Sequence, residues 1–349
     1  MHDAYSWRTM MAACAMWAAG AVQAVTAVPY YTPAHFAEGL YAHWYVPRSA
    51  ELAQRSGEMQ RAVQQWCEAA PATERPARAA ARTAWQAAAQ AWDRLSAVAV
   101  GPLVQRRSAR QIDFHPTRPK LIERGIAAAP ADAKDMERVG TPGKGFPALE
   151  WLLWREQVAA RTPACRYAVQ VAAEIDREAV ALRDAFAEAA QRGWEDEQAS
   201  QVMAEAVNQW VGAVERLRWA DIGRPAASAH GHAPEFPRAA SGSSGAAWTA
   251  RWAGIEALTV QGTEAPPAPG KGLVPVETYL RGRGLNPLAD RLRASVQGVK
   301  APLQALVQSA APAQVPAATA ALGELKRVAE GDVAAALNVN IGFSDADGD

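Results

Sequence analysis

The sequence predicts an all-α protein of two side-by-side helical bundles related by internal duplication. Three observations carry this reading. Apolar residues recur at three- and four-residue spacing along most of the chain. Alanine is abundant, whereas alternating runs of β-branched residues are scarce. A short motif, Pro-Gly-Lys-Gly followed by an apolar segment with a glutamate, occurs twice. The 349 residues are 50% apolar, enough to bury a large core. Lys+Arg and Asp+Glu balance at 36 each, and no basic stripe with interleaved aromatics is present, so the chain lacks the electrostatic footprint of a nucleic-acid binder.

Taken in order, residues 1–24 read as a secretory signal. Arg8 gives a short charged region, Met10 to Val22 an apolar one, and small residues offer cleavage after Ala24 or Ala27. The apolar run falls well short of the roughly 20 residues that span a bilayer, and no later segment is longer, so no transmembrane segment is expected. The protein is therefore expected to be exported to the periplasm or cell envelope. Loss of the signal removes Cys14 and leaves Cys67 and Cys165 in an oxidising compartment. A disulfide between them is the simplest arithmetic; two buried free thiols are the alternative.

The spacing predicts long helices near 34–70, 76–99, 165–192, 197–220, 286–310 and 314–337, and shorter ones near 117–128, 146–158, 244–260 and 273–282. Prolines and glycines at 71, 76, 101–102, 163, 193, 225, 312 and 316 punctuate them, because proline cannot donate inside a helix and glycine relaxes its end. Residues 224–245 and 262–272 are too rich in Gly, Pro and Ser for packed helix. The end, Asp345-Ala346-Asp347-Gly348-Asp349, reads as a solvated acidic tail, since a calcium loop needs a further distal glutamate.

A constant offset of 127 lays Pro142-Gly143-Lys144-Gly145 on Pro269-Gly270-Lys271-Gly272, Glu150 on Glu277 and Trp92 on Trp219. The expected organisation is a first helical repeat over 28–158 and a second over 159–349, the latter with closing helices. In Gly145-Phe146-Pro147-Ala148-Leu149-Glu150, Gly145 permits a tight turn and Pro147 suits a first helical turn. Glu150 then lies early in the helix, where unpaired N–H groups and the macrodipole favour an anion. Two readings stay open. Glu150 is held locally by backbone N–H groups or an arginine, or it pairs with Glu277 across a cleft as half of a ligand site.

These segments, with "WDRLSAVAVGP" at 92–102, "RQIDFHPTRPKLIER" at 110–124, Cys165-Arg166-Tyr167-Ala168, "GLVPVETYLRGRGLNPLADRL" at 272–292 and "IGFSDADGD" at 341–349, resemble the imelysin-like bacterial envelope proteins. The resemblance implies a fold of two helical bundles, a metallopeptidase classification, and a role in taking up iron or another metal. It also implies a Gly-x-His-x-x-Glu motif, whose His and Glu share one helical face as metal ligands do. Here Pro147 stands in place of the histidine. No His-Glu-x-x-His motif replaces it.

The remaining metal candidates are His35 with Glu38 (His43 two turns on), His115, and the loop pair His230 and His232 with Glu235. Packing or a surface hydrogen bond is the commoner role for His35 and His115, and adventitious binding from a flexible loop for His230 and His232. The cofactor is left as unknown, at most a divalent metal or iron. Three functional readings follow: a non-peptidase protein that binds a small ligand or metal; a metallopeptidase using Glu150 with a histidine from elsewhere; and a structural helical protein that binds an envelope partner.

Overall fold

The structure, a computed structural model, describes residues 27–309 and 311–342. The expected signal segment, Cys14 and the acidic tail lie outside the described residues. The described residues are 73% helical, with no strand among them. It begins with a helix over 33–68 (α1), which runs through a widened π turn at Tyr41–Tyr45. There follow Pro71–Leu95 (α2), Pro119–Ala128 (α3), Gly145–Trp154 (α4) and Pro163–Ala190 (α5). The next helix covers 196–227 (α6), with a π segment at Arg216–Gly223. Ser244–Thr259 (α7), Val276–Gly282 (α8), Asn286–Ser309 (α9) and a helix over 315–336 (α10) complete the order. No described helix is long and apolar enough to cross a membrane.

Periodicity dictates what packs. On α2 the buried positions Ala81, Trp85, Ala88, Trp92 and Leu95 recur every three or four residues and form one stripe. On α5 the stripe runs Cys165, Ala168, Ala172, Ile175, Ala179, Leu182, Phe186 and Ala189. The long part of α1 lies between these two helices and, with α4 resting on α5 and α2, forms the first bundle. Full burial of each tryptophan or leucine contributes roughly 1.5–3 kcal/mol. The second bundle is made by α6, α7, α9 and α10, with the start of α1 laid on α6. The two bundles meet where α7 packs on α2. At Gly254 on α7, an added Cβ would stand 2.7 Å from the Arg94 carbonyl and 2.8 Å from Ala97 Cβ, so only glycine allows this approach.

Several boundaries differ from expectation. Pro76 lies inside α2, whose true start is Pro71 at the first helical position, and Pro225 continues α6 into its last turn. Three short helices, Pro102–Gln105, Ser108–Ile112 and Ala133–Glu137, lie outside the helices that the spacing predicts. The apolar stripe of α5, which opens the second expected repeat, faces α1 and α4. The two Pro-Gly-Lys-Gly turns also differ in backbone. The left-handed glycine is Gly145 in the first and Gly270, the mate of Gly143, in the second.

Cys67 near the end of α1 and Cys165 at the start of α5 form a disulfide, with Cα atoms 5.5 Å apart and a sequence separation of 98. Cross-linking a loop of that length removes much of the unfolded chain's freedom. The double variant Cys67→Ala/Cys165→Ala should unfold in urea with about 2–4 kcal/mol less stability than the oxidised protein. An unchanged midpoint would show that the bond adds nothing to folding.

Candidate functional site

The Gly-Lys-Gly turn before α4 is fixed from three sides. The Tyr167 hydroxyl donates to the Gly143 carbonyl at 2.6 Å, and Lys144 pairs with Glu174. Gly145 has φ +79° and lies so close to the backbone of residue 112 that a Cβ would sit 2.4 Å from the Ile112 carbonyl. Only glycine meets both demands. The turn delivers Phe146, whose carbonyl accepts from Trp85 Nε1 at 3.2 Å, and one helical turn later Glu150, which is 4% exposed.

Glu150 Oε1 accepts from the Ser241 backbone N–H at 2.8 Å and from Ser241 Oγ at 2.6 Å. Ser241 belongs to the segment before α7, and the buried Arg238 three residues earlier adds a positive field at Glu150. Glu150 is thus held through a backbone N–H and a hydroxyl beside a guanidinium, the first of the two arrangements open from the sequence.

Arg238 is the centre of a buried ion cluster. Its backbone has φ +64°, unusual for a residue with a side chain. Its guanidinium lies 5.5 Å from the Phe146 ring centroid and 5.7 Å from that of Trp85. Its Nη2 is 2.8 Å from Asp113 Oδ1 and 3.2 Å from Asp93 Oδ1. Arg251 of α7 reaches the same pair, with Nη2 2.8 Å from Asp93 Oδ1 and 3.5 Å from Asp113 Oδ2. Its Nε is 3.3 Å from Asp221, a residue of the π segment in α6. Trp92 Nε1 donates to Asp113 Oδ2 at 2.9 Å.

Burial alone would raise the Asp113 pKa, but Arg238, His115 and Arg251 outweigh it and hold the carboxyl far below the usual range. Burial likewise opposes the charge on Arg238, yet Asp113, Asp93 and Glu150 hold it protonated. Four acids and two arginines from α2, α4, α6, α7 and two loops therefore converge at the seam of the bundles. Arg238 Nε and Nη1 and Asp93 Oδ2 have no hydrogen-bond partner in the protein. They are polar atoms that water or a small polar group could satisfy.

The other sequence-predicted residues fall elsewhere. Glu277 is fully buried. It accepts from Gln261 N at 3.1 Å, Arg281 Nε at 2.9 Å and Arg293 Nε and Nη2 at 2.7 and 2.6 Å. Burial would raise its pKa, but these donors, Arg293 foremost, lower it. It shares no hydrogen-bond partner with Glu150.

His35 closes a capping box at the start of α1, its Nδ1 accepting from the Thr32 N–H at 3.2 Å, and Glu38 is exposed on the same helix. His115 touches the cluster through Nε2, 3.1 Å from Asp113 Oδ1. His43, His230, His232 and Glu235 are exposed. No three His, Cys, Asp or Glu side chains converge as a ligand set among the described residues. Asp93, Asp113, Asp221, Arg238, Ser241 and Arg251 were not singled out from the sequence. The one usable sign was an aspartate beside Trp92 on an otherwise apolar helical stripe.

The profile of the imelysin peptidase family matches residues 45–336. An imelysin-like protein from Psychrobacter arcticum 273-4 has a similar structure, with a TM-score of 0.73 and 19% identity over 89% of this chain and 97% of that one. A protein from Parabacteroides distasonis ATCC 8503, provisionally named an iron-regulated protein A precursor, is similar with a TM-score of 0.65. It is 14% identical over 87% of this chain and 94% of that one. No curated protein matches the chain significantly.

The cluster makes stability acid-sensitive in a defined direction. The Asp113 carboxyl is depressed in the folded state, so its contribution is complete above the unfolded value of about 4 and is lost as pH falls below it. Asp113→Asn should cost about 3–5 kcal/mol at neutral pH, because two buried arginines lose a counter-charge. The difference between wild type and variant, followed by urea unfolding, should narrow from about pH 4 downward. A difference that is constant with pH would rule out this ionic role.

Proposed function

From the premise that the chain belongs to the imelysin family, we propose that it is an exported envelope protein that binds a ligand without cleaving peptides. On this reading its motif glutamate is an anchor between bundles and not a metal ligand. The observation that carries the proposal is the commitment of Glu150 Oε1 to Ser241, beside the buried Arg238 guanidinium. A cation ligated at Oε1 would have to displace the Ser241 N–H and hydroxyl and leave those donors unpaired. Pro147, three residues before Glu150, has no donor atom to compensate.

Export is supported by the signal-like first 24 residues and by the Cys67–Cys165 disulfide, a bond that persists in oxidising compartments. Iron acquisition is the physiological setting that the family resemblance implies, and the name of the Parabacteroides protein points the same way for that protein. The duplication is proposed on the 127-residue offset of the two Pro-Gly-Lys-Gly motifs. Glu277 would then be the counterpart of Glu150, held by Arg281 and Arg293 where Glu150 is held by Ser241.

Metal analysis of the purified, oxidised protein after equilibration with zinc or ferrous iron tests the proposal, alongside a protein-substrate cleavage assay. The expected result is metal well below one ion per chain, no cleavage, and no change in either for Glu150→Gln. One tightly held ion per chain that disappears in Glu150→Gln would overturn it.

A further inference from the structure

A cavity of about 670 Å3 opens at the disulfide end of the first bundle, remote in its lining from Glu150 and the ion cluster. Three pieces of chain enclose it: the last turn of α1, residues 129–131 after α3, and the first turns of α5. Its volume is in the range that holds small organic ligands. The floor is largely apolar, built from Cys67 of the disulfide, Pro130, Pro163 and Val169.

Two arginines, Arg161 and Arg166, line it and make no ion pair among the described residues. Both are tethered. Arg161 is held in the left-handed region, φ +63°, by its N–H on the Cys67 carbonyl at 3.0 Å and its Nη2 on the Glu68 carbonyl at 3.3 Å. Arg166 Nη1 donates to the Arg161 carbonyl at 3.2 Å. Each guanidinium keeps further N–H groups for a ligand. Glu68 is the only acid in the lining, and its Oε1 already accepts from Gln64. The start of α5, a 28-residue helix, adds a positive dipole end.

The walls are fixed before any ligand arrives. The disulfide joins α1 to α5, Gln170 Nε2 holds the Ala131 carbonyl at 3.1 Å, and Tyr167 is anchored on Gly143. A preformed cavity avoids the ordering cost that weakens binding to mobile sites.

We propose that this cavity binds a small amphipathic carboxylate, its acid on Arg161 and Arg166 and its apolar body on the floor beside Cys67. The arginine fork matches a planar two-oxygen acceptor, and the apolar floor rewards a hydrocarbon or aryl body in place of a bare inorganic anion. This site owes nothing to the Glu150 reading, so the two fail separately.

The test is calorimetric titration of the oxidised protein with 1-naphthoate and with its neutral isostere, 1-naphthamide. Naphthoate should bind one per chain, at least about tenfold tighter than the amide, and weaken with added salt. Arg161→Gln/Arg166→Gln should lose about tenfold or more, while Arg161→Lys/Arg166→Lys keeps part of the affinity. Ala131→Trp, which fills the opening, should abolish binding, with circular dichroism and melting confirming that every variant is folded. No saturable naphthoate binding, equal affinity for acid and amide, or unchanged affinity in the folded Gln variant would each overturn the proposal.

Discussion

The organisation of the molecule depends on the buried pairing of Asp93 and Asp113 with Arg238 and Arg251. Each of these charges left water at a cost of several kcal/mol, and only mutual contact with complete geometry returns that cost. Asp93 comes from α2, Asp113 from the loop after the Ser108–Ile112 helix, Arg251 from α7 and Arg238 from the segment before it. No one bundle holds all four, so the cluster fixes how the bundles meet. Gly254 permits the approach of α7 to the end of α2, and the ion cluster sets its register.

Much of the fold was legible because helical periodicity is a local property. The stripes on α2 and α5 can be read with no knowledge of what they face, and the disulfide followed from counting two cysteines. Boundaries were less legible where proline was read as a stop. Pro76 and Pro225 each lie inside a helix that continues with one donor missing. The ion cluster was largely illegible. Asp93 and Arg238 are 145 residues apart, and Arg238 and Ser241 sit in a Gly/Pro/Ser-rich stretch that reads as solvent-exposed loop. Nothing local marks a loop arginine as buried; its partners lie on other elements.

The paired motif shows how similar sequence leads to different environments. The loops before Glu150 and Glu277 share Pro-Gly-Lys-Gly, yet the glycine in the left-handed region differs and so do the carboxylates' partners. Glu277 is neutralised by two arginines, Arg281 on its own helix and Arg293 on the next. Glu150 has hydrogen bonds from Ser241, with its balancing charge supplied by Arg238 in the same segment. Trp92 and Trp219, which also share the offset, diverge further: one is buried against Asp113, the other is 46% exposed. The spacing from Pro-Gly-Lys-Gly to the glutamate is the same in both segments, but the helices differ in length, ten residues against seven, and so does the chemistry at each glutamate.

That contrast explains why the Gly145-to-Glu150 stretch keeps its shape without the motif histidine. Gly145 is required by its φ and by the Ile112 carbonyl, and neither demand involves a metal. Phe146 presents its carbonyl to Trp85 and its ring to the Arg238 guanidinium. Pro147 satisfies the helix start with no donor to place, and Glu150 secures the segment that carries Arg238 through Ser241. Each residue of the turn thus has a packing or hydrogen-bonding task at the seam. Restoring a metal ligand at position 147 alone would leave Glu150 Oε1 committed to the Ser241 N–H and hydroxyl, which a cation at that oxygen would have to displace. Losing those two hydrogen bonds would free the segment that carries Arg238, the counter-charge of Asp93 and Asp113, and so loosen the contact between the bundles.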